Sequence, residues 1–275
     1  MSLRVLTLSD LHFGLKSWGT FGEEKVAKAL KEAEAACPDV LLFGGDLANR
    51  AEEPDPLRNL RYGLEKISSI PAKHRIFVCG NNDLECLSRP VSEYIRELNS
   101  IVGPYGFGLL DKGSYRIGNV VFLGGIGWYN GTLWKPSEGY QTPGLSTREQ
   151  VQKAAEEYWY EDEFKGRTNR TPDGFFRWVQ DLMEANMSIV RKEDRVVLCT
   201  HFAPSPDFVL YGDSPKYDYL NWFQGSDQTR PGTLYHDPRV VMGFCGHTHR
   251  SDSHRVGATT VHNISGPDQP RWFSV

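Results

Sequence analysis

Five short motifs place carboxylate, amide and imidazole side chains just after an apolar run of the chain. In order they are LSDLHFG with Asp10 and His12, LLFGGDLAN with Asp46, VCGNND with Asn81, VLCTHFAP with His201, and FCGHTHR with His247 and His249. Such a set can neutralise and coordinate two divalent cations, and its mixed nitrogen and oxygen ligands suit manganese, iron, zinc or nickel. The motifs therefore predict a site for two divalent metal ions.

The spacing within the motifs also fits metal binding. Asp10 with His12, and His247 with His249, are two residues apart, so each pair points to one side of an extended segment. Glycines directly before Asp46, Asn81 and His247 let the backbone turn sharply at the strand end. Taken singly, each motif is also typical of an ordinary turn or cap. Their order along the chain, each after a strand, favours metal binding.

Strands and helices must alternate to bring these motifs together. The apolar runs that read as strands are 4–8, 40–43, 75–79, 195–199 and 240–245, and helical patterns occupy 20–37, a segment opening at Asp55-Pro56, 147–164 and 172–190. This alternation favours parallel strands with helices packed on the sheet faces. The carboxyl ends of parallel strands share one edge, where ligands bind. We therefore expect all seven side chains to converge at that edge.

Local signals predict how several elements begin and turn. Thr20 and Glu23 have the spacing of a capping box at the first helix, and Asp55-Pro56 is a cap with a first-turn proline. Antiparallel hairpins are predicted at 114–125 and 254–264, each turning at a glycine.

The ordered motifs resemble the signature of the calcineurin-like metallophosphoesterases. That signature runs Asp-x-His, Gly-Asp, Gly-Asn-His-Asp/Glu, a strand-end His and Gly-His-x-His, and its counterpart here spans residues 10–249. The resemblance implies an α/β fold, a four-layered sandwich of two mixed β-sheets flanked by helices, in a single domain over 1–275. It also implies one metal on Asp10, His12 and His249, the other on Asn81, His201 and His247, and Asp46 as the bridge. Asn263 and Gly266 are similar to the family's closing turn.

The third motif departs from the family pattern. Where the family most often has Gly-Asn-His-Asp, this chain has Gly80-Asn81-Asn82-Asp83. In the family the histidine contacts the phosphate and can protonate the leaving oxygen. An amide cannot act as a general acid near neutral pH. We count Asn82, Asp83 and His201 as catalytic candidates.

The resemblance predicts a metal-dependent phosphohydrolase, in which a metal-bridging hydroxide attacks phosphorus in line. The missing histidine favours a phosphodiesterase, because loss of a general acid slows poor leaving groups most. A phosphoanhydride hydrolase acting on a nucleotide-linked substrate is the alternative, since its leaving group needs no acid. A non-catalytic metal-binding scaffold for protein contacts is a third, although it would be expected to have lost ligands.

Two irregular segments are predicted to lie near the site, at about 128–144 and 202–238. They are rich in glycine, proline and aromatic residues without a clear period. Substrate-contact candidates are Asn82, Trp128, Tyr129, Asn130 and Arg250, and Trp134, Tyr211, Tyr217 and Trp222 are further aromatic residues in these segments. Aromatic residues in loops equally often pack the loops themselves, so both roles stay open.

Composition limits the partners that the chain is expected to have. A net charge of −4 and the lack of Lys/Arg clusters argue against an extended duplex nucleic acid partner and against a nuclease. A small phosphoester or nucleotide-like substrate fits better. GDLANR at 45–50 departs from the GDxVDRG pattern of serine/threonine protein phosphatases. We expect a cytoplasmic protein without a membrane span, because the chain lacks a long apolar run, a signal peptide and a CxxC pair.

Overall fold

Two mixed β-sheets form the frame of the molecule. The computed structural model describes residues 2–52, 54–87, 90, 93–135, 147–153, 171–211 and 220–275. The strands described there are β1 (Arg4–Leu8), β2 (Val40–Phe43), β3 (His74–Phe77), β4 (Gly108–Leu109), β5 (Tyr115–Ile117), β6 (Val120–Gly125), β7 (Arg195–Thr200), β8 (Val240–Cys245), β9 (Ser253–Val256), β10 (Thr259–Asn263) and β11 (Arg271–Ser274). The helices whose bounds are described are α1 (Phe21–Ala36), α2 (Arg58–Ser68), α3 (Asn81–Cys86), α4 (Tyr94–Val102) and α5 (Pro172–Ser188).

The first sheet has the strand order β11-β1-β2-β3-β4 and the second has the order β5-β6-β7-β8-β10-β9. Strands β1 to β4 run parallel, and β11 pairs with β1 in the antiparallel direction. In the second sheet β6, β7, β8 and β10 are parallel, with β5 and β9 antiparallel at the edges. The register places Leu8, Phe43 and Phe77 side by side, so the first three strands end together.

Alternation of side chains along the strands produces four layers. Successive strand residues point to opposite faces. In β1, Val5 belongs to a buried cluster that also contains Phe122 and Val197 of the second sheet, so this face packs sheet against sheet. The neighbouring Leu6 belongs to the cluster that contains Val26 of α1. The predicted sandwich of two mixed sheets flanked by helices is confirmed.

Several local predictions need correction. Helix α1 forms, but the Thr20 side chain makes no capping bond, and its hydroxyl donates to Glu24 at 2.7 Å, so the predicted capping box is absent. Helix α2 begins at Arg58 instead of at the proline. The Asp55 carboxylate accepts hydrogen bonds from Arg61 at 3.0 and 3.1 Å, and its backbone carbonyl accepts the Arg58 N–H at 3.1 Å.

The remaining elements divide into confirmed, partly described and unpredicted ones. Both hairpins are confirmed, and α5 starts after Thr171, whose hydroxyl accepts the Gly174 N–H at 3.1 Å. Of the helix predicted at 147–164, residues 148–153 are helical, and residues 154–164 lie outside the described residues. Strands β4 and β11 and helices α3 and α4 were not predicted. Among the described residues, no helix has the length and apolar character needed to cross a bilayer.

Candidate metal centre

The seven ligand candidates lie at the carboxyl ends of strands from both sheets. Asp10, His12, Asp46 and Asn81 follow β1, β2 and β3, while His201, His247 and His249 follow β7 and β8. The expectation of one shared sheet edge is therefore wrong, because two packed sheets each contribute an edge. Two groups of potential ligand atoms result, each with all its atoms within 4.8 Å of one another. They are Asp10, His12 and His249, and Asp46, His201 and His247.

The backbone at these positions is left-handed, not extended. The φ angles are +52° at Asp10, +48° at His12, +54° at Asp46, +68° at His247 and +54° at His249. Non-glycine residues seldom adopt positive φ, and such strain tends to collect at functional sites. The predicted pairing of ligands across an extended segment is therefore wrong, and sharp left-handed turns bring each pair together.

Glycine serves the site in two different ways. Gly45 has φ +97° directly before Asp46, which is the turning role predicted for it. Gly80 has φ −103°, a conformation open to other residues, so the predicted sharp turn there is wrong. Glycine is required there because Asp46 lies so close that a Cβ atom on residue 80 would clash with it.

In the first ligand group, ring nitrogens crowd around one carboxylate. The Nε2 atom of His249 lies 3.3 Å from Asp10 Oδ1 and 3.2 Å from His12 Nε2. The Asp10 carboxylate also accepts the His247 N–H at 3.2 Å and a short hydrogen bond from the Ser9 hydroxyl. Two imidazole nitrogens and a carboxylate oxygen that face one another fit a divalent cation.

The second group has the same chemical character. His201 Nδ1 donates to the Gly44 carbonyl at 2.9 Å, and its Nε2 lies 3.3 Å from Asp46 Oδ2 and 3.2 Å from Asn81 Oδ1. His247 Nε2 is buried without a hydrogen-bond partner in the described part of the chain. Since buried polar atoms are almost always satisfied, this orphaned nitrogen indicates a ligand. The residues present therefore fit a metal ion.

The electrostatics of the metal-free site are dominated by Asp46. Burial alone would raise the pKa of Asp46, but the charge of His201 and the hydrogen bond from it hold that pKa well below its usual range. Burial would lower the pKa of His201, yet Asp46 raises it to about 9. Burial lowers the pKa of His247 to about 3, which leaves that imidazole neutral and able to ligate. Metal binding is then expected to release the proton of His201.

Asn82 uses both ends of its amide inside the protein. Its Nδ2 donates to Asp46 Oδ2 at 2.7 Å, and its backbone N–H donates to Asp46 Oδ1 at 2.8 Å. Its Oδ1 accepts from Asn49 Nδ2 at 2.8 Å. The side chain lines the cleft beside the ligands, but these contacts orient it toward Asp46.

Asp83 lies behind the site. It is fully buried, and its carboxylate accepts the backbone N–H groups of Leu47, Ala48 and Gly80 at 2.9, 3.3 and 3.0 Å. Burial and then the charge of Asp46 raise its pKa to about 8. Asp83 therefore joins the loops that carry Asp46 and Asn81, and it does not line the cleft as a group acting directly on substrate would.

A cleft of about 510 Å³ opens over the ligand candidates. The described residues of segment 202–238 that line it are Phe208, Val209, Leu210, Leu220, Asn221 and Gln224. Leu210 is 46 % exposed. Arg250 also lines the cleft and donates to Asp252 Oδ2 at 2.7 Å. The individual residues that line the cleft were not predicted from the sequence. The apolar run 208–210 inside a polar segment is the signal that could have indicated three of them.

Three predicted substrate contacts lie away from the cleft. Trp128 and Tyr129 are only 2 % and 1 % exposed and stack on each other with centroids 4.9 Å apart, and Trp128 also packs on Phe175 at 4.6 Å. Asn130 Oδ1 accepts the Thr132 N–H at 3.1 Å. These residues therefore pack their segment, because large aromatic rings gain more from burial than from exposure.

The further aromatic candidates also contact the protein. Tyr211 donates to the Leu133 carbonyl at 2.6 Å, and Trp222 lies under Arg148 at 5.2 Å. Trp134 packs against the core, and Tyr217 lies outside the described residues. Trp18, which sequence reasoning missed, places its ring 4.7 Å from that of His12 and 4.9 Å from that of His249.

Comparisons with known proteins agree with this architecture. The sequence model of the calcineurin-like phosphoesterases matches residues 3–251. The phosphopantetheinyl hydrolase PptH from Mycobacterium tuberculosis superposes with a TM-score of 0.67 at 17 % identity, covering 98 % of this chain and 95 % of that one. TT1561 of Thermus thermophilus gives a TM-score of 0.57 at 13 % identity, covering 100 % and 99 %. At such identities the likeness concerns the fold. No curated protein sequence matches the chain.

Proposed function

Because the chain belongs to the calcineurin-like phosphoesterase family, we propose that it is a phosphodiesterase. The family and the two groups of ligand side chains support a metal-dependent hydrolase. The finer assignment rests on the residues that surround the metal centre. The observation that carries it is the Asn82 amide, which is bonded to Asp46 and Asn49 in the place where the family most often has a proton-donating histidine.

Seven side chains would hold the metals. Asp10, His12 and His249 form one group, Asn81, His201 and His247 belong to the other, and Asp46 lies between them, 3.8 Å from His12 Nε2 and 3.3 Å from His201 Nε2. Bound divalent ions would neutralise the phosphoryl oxygens and make water a stronger nucleophile. The protein orients these ligands: the Gly44 carbonyl fixes the ring of His201, and the His247 N–H fixes the Asp10 carboxylate.

The cleft offers no side chain to protonate the leaving oxygen among the described residues that line it. Apart from the ligand candidates, the charged residue there is Arg250, and guanidinium groups do not serve as general acids. Monoester transition states are loose and place much charge on the leaving oxygen, so they depend strongly on a proton donor. A diester with an aryl or cyclic leaving group depends on one far less.

Charge in the cleft supports the same choice. Arg250, the described cation of the cleft wall, has its charge paired with Asp252 at 2.7 Å. A monoester dianion brings about one more negative charge than a diester and would need another cation to offset it. Val209, Leu210 and Leu220 also line the cleft and present apolar surface, which suits the second, uncharged organic group of a diester.

Paired assays test the proposal. Metal-stripped protein is supplied with manganese, and hydrolysis of bis-p-nitrophenyl phosphate is compared with that of p-nitrophenyl phosphate and of an alkyl phosphate monoester. We expect manganese to restore diester cleavage with little monoester cleavage, and Asn82→His to raise the rate most for the alkyl monoester, whose leaving oxygen needs a proton. Asn119→His, the same change in the exposed turn between β5 and β6, is the matched control. Equal or greater monoester cleavage by the unaltered protein would contradict a phosphodiesterase.

A phosphoanhydride hydrolase is the second candidate, because an anhydride leaving group needs no proton. The same Asn82 contacts favour it. A nucleotide pyrophosphate and a phosphopantetheinyl diester, the latter suggested by the structural neighbour's name, therefore belong in the substrate panel. Turnover of the pyrophosphate without turnover of either diester would favour the anhydride hydrolase.

A further inference from the structure

We propose that Asn49 is a positioning residue that links the two ligand groups. It lies in the loop after β2, and it was absent from the sequence-based site. The inference rests on the metal-dependent function proposed above, but it concerns metal binding and holds for any phosphoryl substrate. Three consecutive hydrogen bonds carry it.

The three bonds join His12 to Asp46 through two amides. His12 Nδ1 lies 3.0 Å from Asn49 Oδ1, Asn49 Nδ2 lies 2.8 Å from Asn82 Oδ1, and Asn82 Nδ2 lies 2.7 Å from Asp46 Oδ2. His12 belongs to one ligand group and Asp46 to the other. Asn49 and Asn82 therefore connect a ligand of the first group with Asp46, which lies between the two groups.

The direction of these bonds follows from the ionised carboxylate at one end. Asp46 accepts only, so Asn82 must donate to it through Nδ2 and accept through Oδ1. Asn49 then donates through Nδ2, which leaves its Oδ1 to accept the Nδ1–H of His12. In neutral His12 the other nitrogen, Nε2, keeps its lone pair. This is the nitrogen that lies with Asp10 and His249 in the first ligand group.

Asn49 is itself held from two sides. Its backbone N–H donates to the Phe13 carbonyl at 3.0 Å, and its own carbonyl accepts from Asn59 Nδ2 at 2.9 Å. The neighbouring His12 N–H donates to the Asp46 carbonyl at 3.1 Å. These bonds hold the backbone of Asn49 in place, so its side-chain amide can orient His12 and Asn82.

Metal affinity distinguishes this role from a general structural one. His249→Ala removes a ligand of the first group and keeps Asp46, His201 and His247 intact. His247→Ala removes a ligand of the second group and keeps Asp10, His12 and His249 intact. Manganese binding in each variant therefore reports mainly on the group that is kept. In both backgrounds we expect Asn49→Ala to weaken manganese binding by about 10- to 100-fold, the usual effect of losing a partner of a ligand. Calorimetric titration of metal-free protein gives both dissociation constants.

Asn82→Ala separates the two halves of the link. It removes the contact with Asp46 and leaves the contact between Asn49 and His12. We expect a large loss of affinity in the background that keeps Asp46, His201 and His247, and a smaller loss in the background that keeps Asp10, His12 and His249, because Asp46 also lies 3.8 Å from His12 Nε2. This variant keeps the proposal testable if Asn49→Ala does not fold, and equal effects at both groups would contradict it.

Asn59→Ala is the matched control, because it removes only a hydrogen bond to the Asn49 backbone carbonyl, while the three side-chain bonds and the bond from the Asn49 N–H to Phe13 remain. It should leave both manganese affinities within about 2-fold. In addition, ¹⁵N NMR of metal-free protein should show His12 protonated at Nδ1, with Asn49→Ala moving protonation toward Nε2. Unchanged affinities and an unchanged His12 signal in folded Asn49→Ala would overturn the proposal. Normal metal effects without any ester or anhydride hydrolysis would instead contradict the proposed function.

Discussion

Gly80 and Asp46 approach so closely that a Cβ atom on Gly80 would lie 2.1 Å from Asp46 Oδ1 and 2.2 Å from the Asp46 backbone nitrogen. Backbone cannot yield cheaply to such a contact. We therefore expect Gly80→Ala to lower the free energy of unfolding by about 1–3 kcal/mol and manganese affinity by at least about 10-fold. Urea unfolding and calorimetry measure the two effects.

Gly103→Ala is the control for that change. Gly103 has φ −56°, and an added Cβ would meet no atom within 4 Å, so alanine should be neutral or stabilise by about 0.4–1 kcal/mol. Wild-type metal affinity in Gly80→Ala would show that the loop of Asp46 shifts without moving its carboxylate.

Cys37 offers a stability test remote from the site. It ends α1 with φ +49°, is exposed, and its N–H donates to the Ala33 carbonyl at 2.7 Å. Glycine is the favoured residue at such a position, so Cys37→Gly should stabilise the protein by about 1 kcal/mol. Thermal unfolding provides the measurement. Cys37→Ala retains the unfavourable φ and should show no comparable gain.

Asp111 predicts a pH dependence for the metal-free protein. Its buried carboxylate accepts from the Cys79 and Ile126 backbone N–H groups at 3.0 and 2.6 Å and from the Tyr94 hydroxyl at 2.9 Å. Burial outweighs these bonds and raises its pKa to about 6 from the ordinary 3.8. A raised carboxyl pKa contributes stability below pH 3.8, and that stability is lost as the pH rises through 6.

The raised pKa of Asp111 should lower the free energy of unfolding by about 3 kcal/mol between pH 3.5 and pH 7. Unfolding free energies of chelator-treated wild type and Asp111→Asn test this, because the variant should be less pH-dependent over that interval. Asp83, with a pKa raised to about 8, also lowers the free energy of unfolding as the pH rises. Because both proteins contain Asp83, this contribution cancels when the free energies of the variant are subtracted from those of the wild type. Parallel pH profiles for the two proteins would contradict the prediction.

Trp18 should report metal binding. Its ring contacts both His12 and His249, and paramagnetic manganese quenches a nearby indole. We expect manganese titration to lower the tryptophan fluorescence, and Trp18→Phe to remove most of that decrease. Trp178→Phe, in α5 against Tyr94 and Phe175, is the matched control. Equal quenching in the two variants would argue against binding beside Trp18.

The ion pair of Arg250 and Asp252 predicts a change in substrate preference. Asp252→Asn removes the partner of Arg250 and leaves a net cation at the cleft wall. The KM for p-nitrophenyl phosphate should fall several-fold, more than that for bis-p-nitrophenyl phosphate, because the monoester carries more charge. Asp173→Asn makes the same charge change at an exposed pair with Arg177 and should alter neither KM.

The ligand candidates could be placed from the sequence because each pattern is local. Asp46 and His201 follow the buried strands β2 and β7 closely, and parallel pairing aligns strand ends whatever the details of the loops. The division of the strands between two packed sheets was predicted from the resemblance alone, since strand-end patterns do not reveal which strands share a sheet. The left-handed backbone of the ligand residues was not predicted, because non-glycine residues keep such conformations only where tertiary contacts hold them.

The cleft wall and the amide link were harder to predict. Trp128 and Leu210 both lie in irregular segments, and local sequence does not indicate that the ring packs inward while Leu210 remains exposed. Asn49 contacts residues 37 positions earlier and 33 positions later, which no periodicity shows. Strand β11 is short and follows Pro270, so its pairing depends on an available edge of β1.

The pairing of β1 with β11 affects when the metal centre can be completed. Leu6 lies opposite Trp272, and the Ser9 N–H next to Asp10 donates to Gln269 Oε1 at 2.7 Å. During synthesis the earliest ligands leave the ribosome long before the residues that secure their strand. Contacts this distant in sequence also form slowly. The contacts of residues 269–274 with β1 and Ser9 therefore form only after those residues have emerged, so the surroundings of Asp10 are not complete until then.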